Sequence, residues 1–71
     1  MEEILSTEDL RHIARKTRKA VGLTQSDLAA ACGVGRRFII EMESGKETCE
    51  IAKVFLVLKM LGISLLAEQP K

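Results

Sequence analysis

The strongest structural signal in this chain is the stretch QSDLAAACGVGRRFIIEME, residues 25–43. Gly33 divides it at a point where the backbone can turn with positive φ, and Ala29 supplies the small side chain that two crossing helices require. Apolar residues occupy the remaining positions where two such helices would touch, and these are Leu28, Cys32, Val34, Ile39 and Met42. The spacing therefore predicts a helix-turn-helix over residues 25–43.

One helix is predicted on each side of this motif. The first starts at the capping residues 6–9, STED, carries apolar residues at three-four spacing and ends before Gly22. The last starts after Thr48 and ends at Leu61. Because the chain has no repeat and no linker, residues 1–71 are expected to form a single all-α domain of four to five helices.

The last helix is predicted to bury two apolar faces. Its wide face comprises Ile51, Val54, Phe55, Val57, Leu58 and Leu61. A second stripe, at i, i+4 and i+8, comprises Ala52, Leu56 and Met60. One face can pack on the core of the chain itself, whereas the other needs a further partner, and this indicates a homodimer.

Residues 63–67, ISLLA, are β-prone, so we expect a short C-terminal strand there that takes part in dimerisation. A lone strand leaves its backbone unpaired, and two partners are open: the apolar pair Ile4 and Leu5, or the same tail of a second copy. The residues expected at the dimer interface are Ala52, Leu56, Met60, Ile63, Leu65 and Leu66.

Charge is distributed unevenly, although the net charge is only +1. Residues 11–19 contain five basic side chains and no acid, and Arg36 and Arg37 stand in a neutral stretch. A local basic surface can bind phosphate despite a balanced total. For the run at 11–19 taken alone, a solvated helix face is the simpler interpretation.

Several classes of function are disfavoured. Cys32, Cys49 and His12 lack the spacing of a zinc site or a disulfide framework, so no metal and no other cofactor is expected. No Ser/His/Asp or Cys/His arrangement is visible and the chain is small for a substrate pocket, so we expect no enzyme. The longest apolar run, Val54–Leu58, is too short to span a membrane and no signal peptide opens the chain, so we expect a cytoplasmic protein.

Three segments together resemble the Xre/Cro, or lambda-repressor-like, family: GLTQSDLA at 22–29, GV at 33–34 and EMESGK at 41–46. The short chain, the spacing to the last helix and the β-prone tail resemble the HipB-like branch. The resemblance implies a repressor that binds double-stranded DNA, and the branch implies an antitoxin that also pairs with a HipA-like kinase toxin. Two hypotheses therefore stay open: a repressor that binds a palindromic operator as a homodimer, and a HipB-type antitoxin.

The resemblance also implies roles for individual residues. Arg36, Arg37 and Glu41 match recognition-helix positions that face base edges. The chemistry agrees, because arginine can donate two hydrogen bonds to guanine and glutamate can accept one from cytosine. Arg18 and Glu43 match a pair that forms an internal salt bridge in this family.

Contacts to the DNA backbone are implied at the ends of the motif. The residues assigned to these contacts are Gln25, Ser26, Gly35, Ser44 and Lys46. Gly35 departs from the family pattern, which usually has Ser or Thr before the recognition helix. Glycine caps a helix nearly as well, so we expect the helix to form and the backbone N–H of Gly35 to remain for a phosphate.

Overall fold

The computed structural model describes residues 2–70, which contain four α-helices. They are α1 (Thr7–Ala20), α2 (Gln25–Cys32), α3 (Arg36–Glu43) and α4 (Ile51–Met60). The prediction of an all-helical fold is confirmed, and α2 and α3 occupy the stretch predicted as a helix-turn-helix. α3 packs against both α1 and α2, while α4 packs mainly against α2. This arrangement leaves one side of α3 uncovered.

Local hydrogen bonds explain where the first two helices begin. Ser6 Oγ accepts a hydrogen bond from the backbone N–H of Asp9 at 3.1 Å, which caps α1. Thr24 and Asp27 form a reciprocal capping box at the start of α2, with N···O distances of 3.0 and 3.1 Å. The hydrogen bonds from Thr24 lower the pKa of the Asp27 carboxyl. The start of α2 is therefore held from both sides of its first turn.

The turn between α2 and α3 depends on one glycine. Gly33 has φ +70° and ψ +28°, the left-handed conformation that glycine adopts without steric cost. Its N–H and that of Val34 donate to the last carbonyls of α2. The two helices then close over a shared core, whose buried apolar members are Ala14, Leu28, Ala29, Cys32, Ile39, Met42, Val54, Val57, Leu58 and Leu61.

α4 differs from its prediction in both extent and orientation. It begins at Ile51 rather than directly after Thr48, because residues 47–50 form a turn and a short extended segment. Ile51 and Phe55, expected on the buried face, are 63% and 51% exposed, so that part of the prediction is wrong. In the single chain, α4 packs mainly against α2, and these two side chains lie outside that contact. The side chains of α4 that are buried are Val54, Val57 and Leu58.

The predicted C-terminal strand does not form in this single chain, and residues 2–70 contain no strand. Gly62, with φ +75°, ends α4, and residues 63–70 follow without regular structure. Pairing with Ile4 and Leu5 does not occur either, and Leu5 is exposed. A strand persists only when a neighbouring strand pairs its N–H and C=O groups, and the single chain offers no such neighbour to the tail.

Most side chains expected at a dimer interface are exposed in the single chain. They are Ala52, Leu56, Met60, Leu65 and Leu66. Ile63 differs, because it packs against the core of its own chain. The exposed set leaves an apolar strip on α4 and the tail that the chain itself does not cover.

Candidate nucleic-acid interface

α3 separates a buried face from an exposed one. Ile39, Met42 and Glu43 are buried against the rest of the domain. Arg37 lies on the opposite side of the helix and Arg36 lies in its first turn, next to α1, and both side chains are exposed. An α-helix fits the major groove of B-DNA, where arginine can donate two hydrogen bonds to one guanine. The packing of α3 therefore presents the residue type that base recognition needs.

One carboxylate links two of the predicted DNA-contacting cations. Glu41 Oε1 accepts a hydrogen bond from Arg37 Nε at 3.1 Å, and Glu41 Oε2 accepts one from Lys46 Nζ. Lys46, and after it Arg37, hold the pKa of the Glu41 carboxyl below its ordinary value. The Arg37 side chain is nevertheless 91% exposed. These three residues, here called the Glu41 cluster, thus join a predicted base contact to the loop that follows α3.

The pKa of Glu41 provides a direct check of this cluster. We expect its carboxyl to titrate below the ordinary value of 4.5, and Lys46→Gln to raise its pKa more than Arg37→Gln, since Lys46 makes the larger contribution. Because pairing favours the ionised carboxylate, the cluster is intact above this lowered pKa and is lost as the pH falls through it. The side-chain carboxyl ¹³C shift of Glu41, followed by NMR, measures the midpoint. A wild-type midpoint at or above 4.5 would show that the cluster does not persist in solution.

A buried ion pair fixes α1 to α3. Arg18 Nε donates to Glu43 Oε2 at 2.6 Å and Arg18 Nη2 donates to Glu43 Oε1 at 3.0 Å, with side-chain exposures of only 9% and 5%. Arg18 Nη1 also donates to the carbonyl of Leu23 at 2.8 Å. The pair implied by the family resemblance is therefore present, and Glu43 raises the pKa of Arg18.

Gln25 takes part in the same network. Its Nε2 donates to Glu43 Oε1 at 3.2 Å, so its side-chain amide is turned towards the ion pair. Gln25 is the first residue of α2, and this hydrogen bond fixes the start of α2 against α3. The network thus joins three helices at the edge of the exposed side of α3.

The loop that follows α3 is held close to α1. Ser44 Oγ donates to the carbonyl of Glu41 at 2.8 Å, and the backbone N–H of Lys46 donates to the same carbonyl at 3.1 Å. Gly45 has φ +86°, and a Cβ at this position would lie 3.1 Å from Arg11 Cδ. Glycine is favoured here by its positive φ, and a Cβ would in addition require the Arg11 side chain to shift. The loop therefore presents Ser44 and Lys46 from a constrained backbone.

The predicted DNA-contacting residues fall into two grooves that flank α3. The first groove is lined by Gln25, Ser26, Arg36 and Ser44, together with residues of α1. The second is lined by Gly35, Arg37, Glu41 and Lys46, together with residues 48–50 and 53. Gly35 caps α3 without a side-chain hydrogen bond, and Ser26 lies exposed in the first turn of α2. Free N–H groups at such helix starts suit anions.

The first groove, here called the α1–α3 groove, also contains residues to which sequence analysis gave no role. Arg11, Arg15 and Lys19 of α1 line this cavity of about 760 Å³. Their i, i+4, i+8 spacing places them on one face of α1, and that spacing is the signal that would have separated them from a solvated charge run. The sequence alone does not show that this face of α1 lies beside Arg36 of α3.

Neither a cluster of metal-ligating side chains nor a membrane-spanning helix is found among the described residues. Between residues 2 and 70, no group of three or more His, Cys, Asp or Glu side chains is arranged to hold a metal ion. No helix in the same range combines the length and the apolar character that crossing a membrane requires. Cys32 and Cys49 are free, and burial raises the pKa of both thiols.

Fold and surface together define the class of this molecule. It is a helix-turn-helix protein in which α3, the second helix of the motif, carries exposed arginines. Residues 15–67 match the family model described as helix-turn-helix, and the chain belongs to that family. The resemblance proposed from the sequence motifs is therefore confirmed.

Individual proteins similar to this chain are found among known sequences and among solved structures. The HTH-type transcriptional regulator y4mF of Sinorhizobium fredii (strain NBRC 101917 / NGR234) is 42% identical over 64 residues, which cover 90% of this chain and 84% of that protein. A chain in the HipB–O4 20mer complex superimposes with a TM-score of 0.89 at 25% identity over 100% of both chains. A chain in the HipA–HipB–O2–O3 complex matches with the same score, identity and coverage. These neighbours agree with the HipB-like resemblance.

Proposed function

We propose that this chain is a sequence-specific transcriptional regulator that represses by binding a palindromic DNA operator as a homodimer. The observation that carries this proposal is the geometry of α3, which is anchored by a buried face and leaves Arg36 and Arg37 exposed. Arg36 and Arg37 supply donors for guanine O6 and N7, and Glu41 supplies an acceptor for cytosine N4. The similarity to a named transcriptional regulator and to HipB in a complex with a 20mer supports the same assignment.

Contacts to the DNA backbone are assigned to the two grooves beside α3. Gln25, Ser26 and Ser44 border one, and Gly35 and Lys46 border the other. A helix seated in the major groove has a phosphate backbone on each side of it, so donors are needed on both flanks. Such contacts fix the register of the protein, while α3 distinguishes the bases.

Selection of bound sequences from a pool of random duplexes tests this function. We expect one recurring palindromic motif, bound at least about 10³-fold more tightly than random DNA of the same length at the same salt concentration. Recovery of no common sequence, with equal affinity for selected and unselected duplexes, would remove sequence-specific recognition from the proposal.

A Lys46→Ala variant tests the backbone contact in the second groove. We expect affinity to fall by a similar factor on every duplex, and the slope of log K against log salt concentration to decrease by about 0.9 in magnitude, the value for one lost phosphate contact. Lys16→Ala is the control, because Lys16 pairs with Glu2 and lies outside both grooves. An unchanged slope for Lys46→Ala would place that side chain outside the interface.

The proposed homodimer uses the apolar strip that the chain leaves uncovered. Ala52, Leu56 and Met60 on α4 and the leucines of residues 63–67 form its surface. A second copy also supplies the neighbouring strand that the tail lacks in a single chain. Dimerisation then sets two recognition helices about 34 Å apart, so that they enter successive major grooves on one side of the duplex.

A Leu56→Glu variant tests this interface. A carboxylate at the centre of an apolar contact is costly to desolvate, so we expect the variant to sediment as a monomer at concentrations where the wild type is dimeric. Ala31→Glu introduces the same side chain at an exposed position of α2 and is expected to keep the dimer. A Leu56→Glu variant that remains dimeric would exclude the α4 strip as the contact.

A second candidate function is that of a HipB-type antitoxin, which also binds and neutralises a HipA-like kinase toxin. It is favoured by the full-length match to a chain of the HipA–HipB–O2–O3 complex. If an adjacent gene encodes a HipA-like kinase, co-expression should yield a stable complex and relieve the growth arrest caused by that kinase. If the adjacent gene is unrelated, or if the kinase neither co-purifies nor is neutralised, the antitoxin function is rejected and only the repressor function remains.

A further inference from the structure

The α1–α3 groove concentrates positive charge, and the proposed contacts use only Arg36 of it. Arg15 and Lys19 of α1 and Arg36 of α3 line the same cavity. Within residues 2–70, none of these three has an acidic partner within 4.0 Å. Arg11, in the same groove, differs because it pairs with Glu8. The groove therefore carries three cations without compensation.

The remaining surface cations show how unusual this grouping is. The paired ones are Arg11 with Glu8, Lys16 with Glu2, Arg37 and Lys46 with Glu41, and Lys53 with Glu50. Along the described chain, the other lysine without such a partner is Lys59, which lies on α4 away from the groove. A concave surface lined by one sign of charge focuses the electrostatic potential and attracts anions.

We propose that the α1–α3 groove holds backbone phosphates of the DNA, flanking the bases that α3 contacts, with Arg15 and Lys19 as the phosphate ligands. This inference rests on the proposed function. Arg36 belongs both to the groove and to the exposed side of α3, so a duplex seated on α3 carries its backbone past α1. Ser26 lines the same groove, is exposed, and adds a neutral hydroxyl donor beside the two cations.

The spacing of the two ligands supports an extended contact rather than a single anion site. Arg15 and Lys19 are four residues apart, which is about 6 Å along the axis of α1. Both side chains are exposed and lack internal hydrogen-bond partners in the described chain, so they can reach separate phosphates of one strand. α1 thereby widens the footprint of the protein beyond the helix-turn-helix itself.

Single and double variants on selected duplex DNA test the proposal. We expect Arg15→Gln and Lys19→Gln each to reduce the slope of log K against log salt concentration by about 0.9 in magnitude, and the double variant by about twice that amount. Lys16→Gln is the matched control, because it removes one charge from the same helix outside the groove. Phosphate ethylation interference should reveal wild-type contacts at flanking phosphates that disappear in the double variant.

The outcomes separate this inference from the proposed function. If the slope of log K against log salt concentration changes no more in the double variant than in Lys16→Gln, or if the interference pattern is unaltered, α1 does not contact phosphates. The proposed function would still stand, provided that the wild type selects its operator. A third outcome would also overturn this role of α1: wild-type protein binds inorganic tripolyphosphate saturably, the double variant does not, and the salt dependence of DNA binding is the same in both. The groove would then be a site for small anions. Failure of the wild type to prefer any duplex would instead reject the proposed function.

Discussion

An Arg18→Ala variant is expected to lose about 3–5 kcal/mol of unfolding free energy, because removing one member of a buried ion pair leaves the other charge uncompensated. Glu43, whose side chain is only 5% exposed in the intact pair, would lose its guanidinium partner, and the carbonyl of Leu23 would lose its donor. A single core of this size rarely supplies more than about 3–5 kcal/mol. Most of the variant should therefore be unfolded at room temperature, as measured by circular dichroism in urea at fixed protein concentration.

Two further variants show whether charge pairing is the cause. Arg18→Met combined with Glu43→Leu removes both charges and keeps apolar volume, so its stability should lie near that of the wild type. Arg15→Ala removes an exposed arginine from the same helix and should change stability by no more than about 0.5 kcal/mol. If Arg18→Ala loses no more unfolding free energy than the surface control Arg15→Ala, the ion pair does not hold α1 on α3.

An Arg37→Ala variant is expected to lose about 1–3 kcal/mol of discrimination between the selected operator and random DNA, the value of one bidentate arginine–guanine contact. This corresponds to roughly 5- to 150-fold in relative affinity. Its thermal stability should barely change, because the side chain is 91% exposed. Competition binding on the two duplexes at one salt concentration measures the effect.

Arg37→Lys is the sharper companion to this variant. Lysine retains the positive charge and the pairing with Glu41, but it cannot form two parallel hydrogen bonds to one guanine. We therefore expect Arg37→Lys to lose most of the discrimination while it keeps most of its affinity for random DNA. Equal losses on both duplexes for either variant would assign Arg37 to phosphate contact alone.

The features that sequence predicted well are those with local causes. Gly33 and Ala29 define the turn through backbone conformation and side-chain size, which are properties of single residues. The start of α2 is similar, because Thr24 and Asp27 lie three residues apart and cap one helix. The ion pair of Arg18 with Glu43 required the family resemblance, since 25 positions separate its partners.

The features that sequence predicted poorly depend on which elements meet. Ile51 and Phe55 fit an apolar face by periodicity, yet α4 has too little covering surface to bury them. The strand at residues 63–67 needs a partner that one chain does not contain. The α1–α3 groove was missed because its positive potential arises only when α1 is placed beside Arg36.

The two sides of α3 have a consequence for how such proteins diversify. Because Arg36 and Arg37 are exposed, we expect substitutions at these positions to cost little folding free energy, and under the proposed function they alter DNA preference. If Arg36 and Arg37 read the bases as proposed, a duplicated gene can acquire a new operator through substitutions there while it retains the same scaffold. Glu41 limits that freedom. If Arg37 is replaced by a neutral residue, Lys46 is the only cation left beside the Glu41 carboxylate, which then repels a nearby phosphate more strongly.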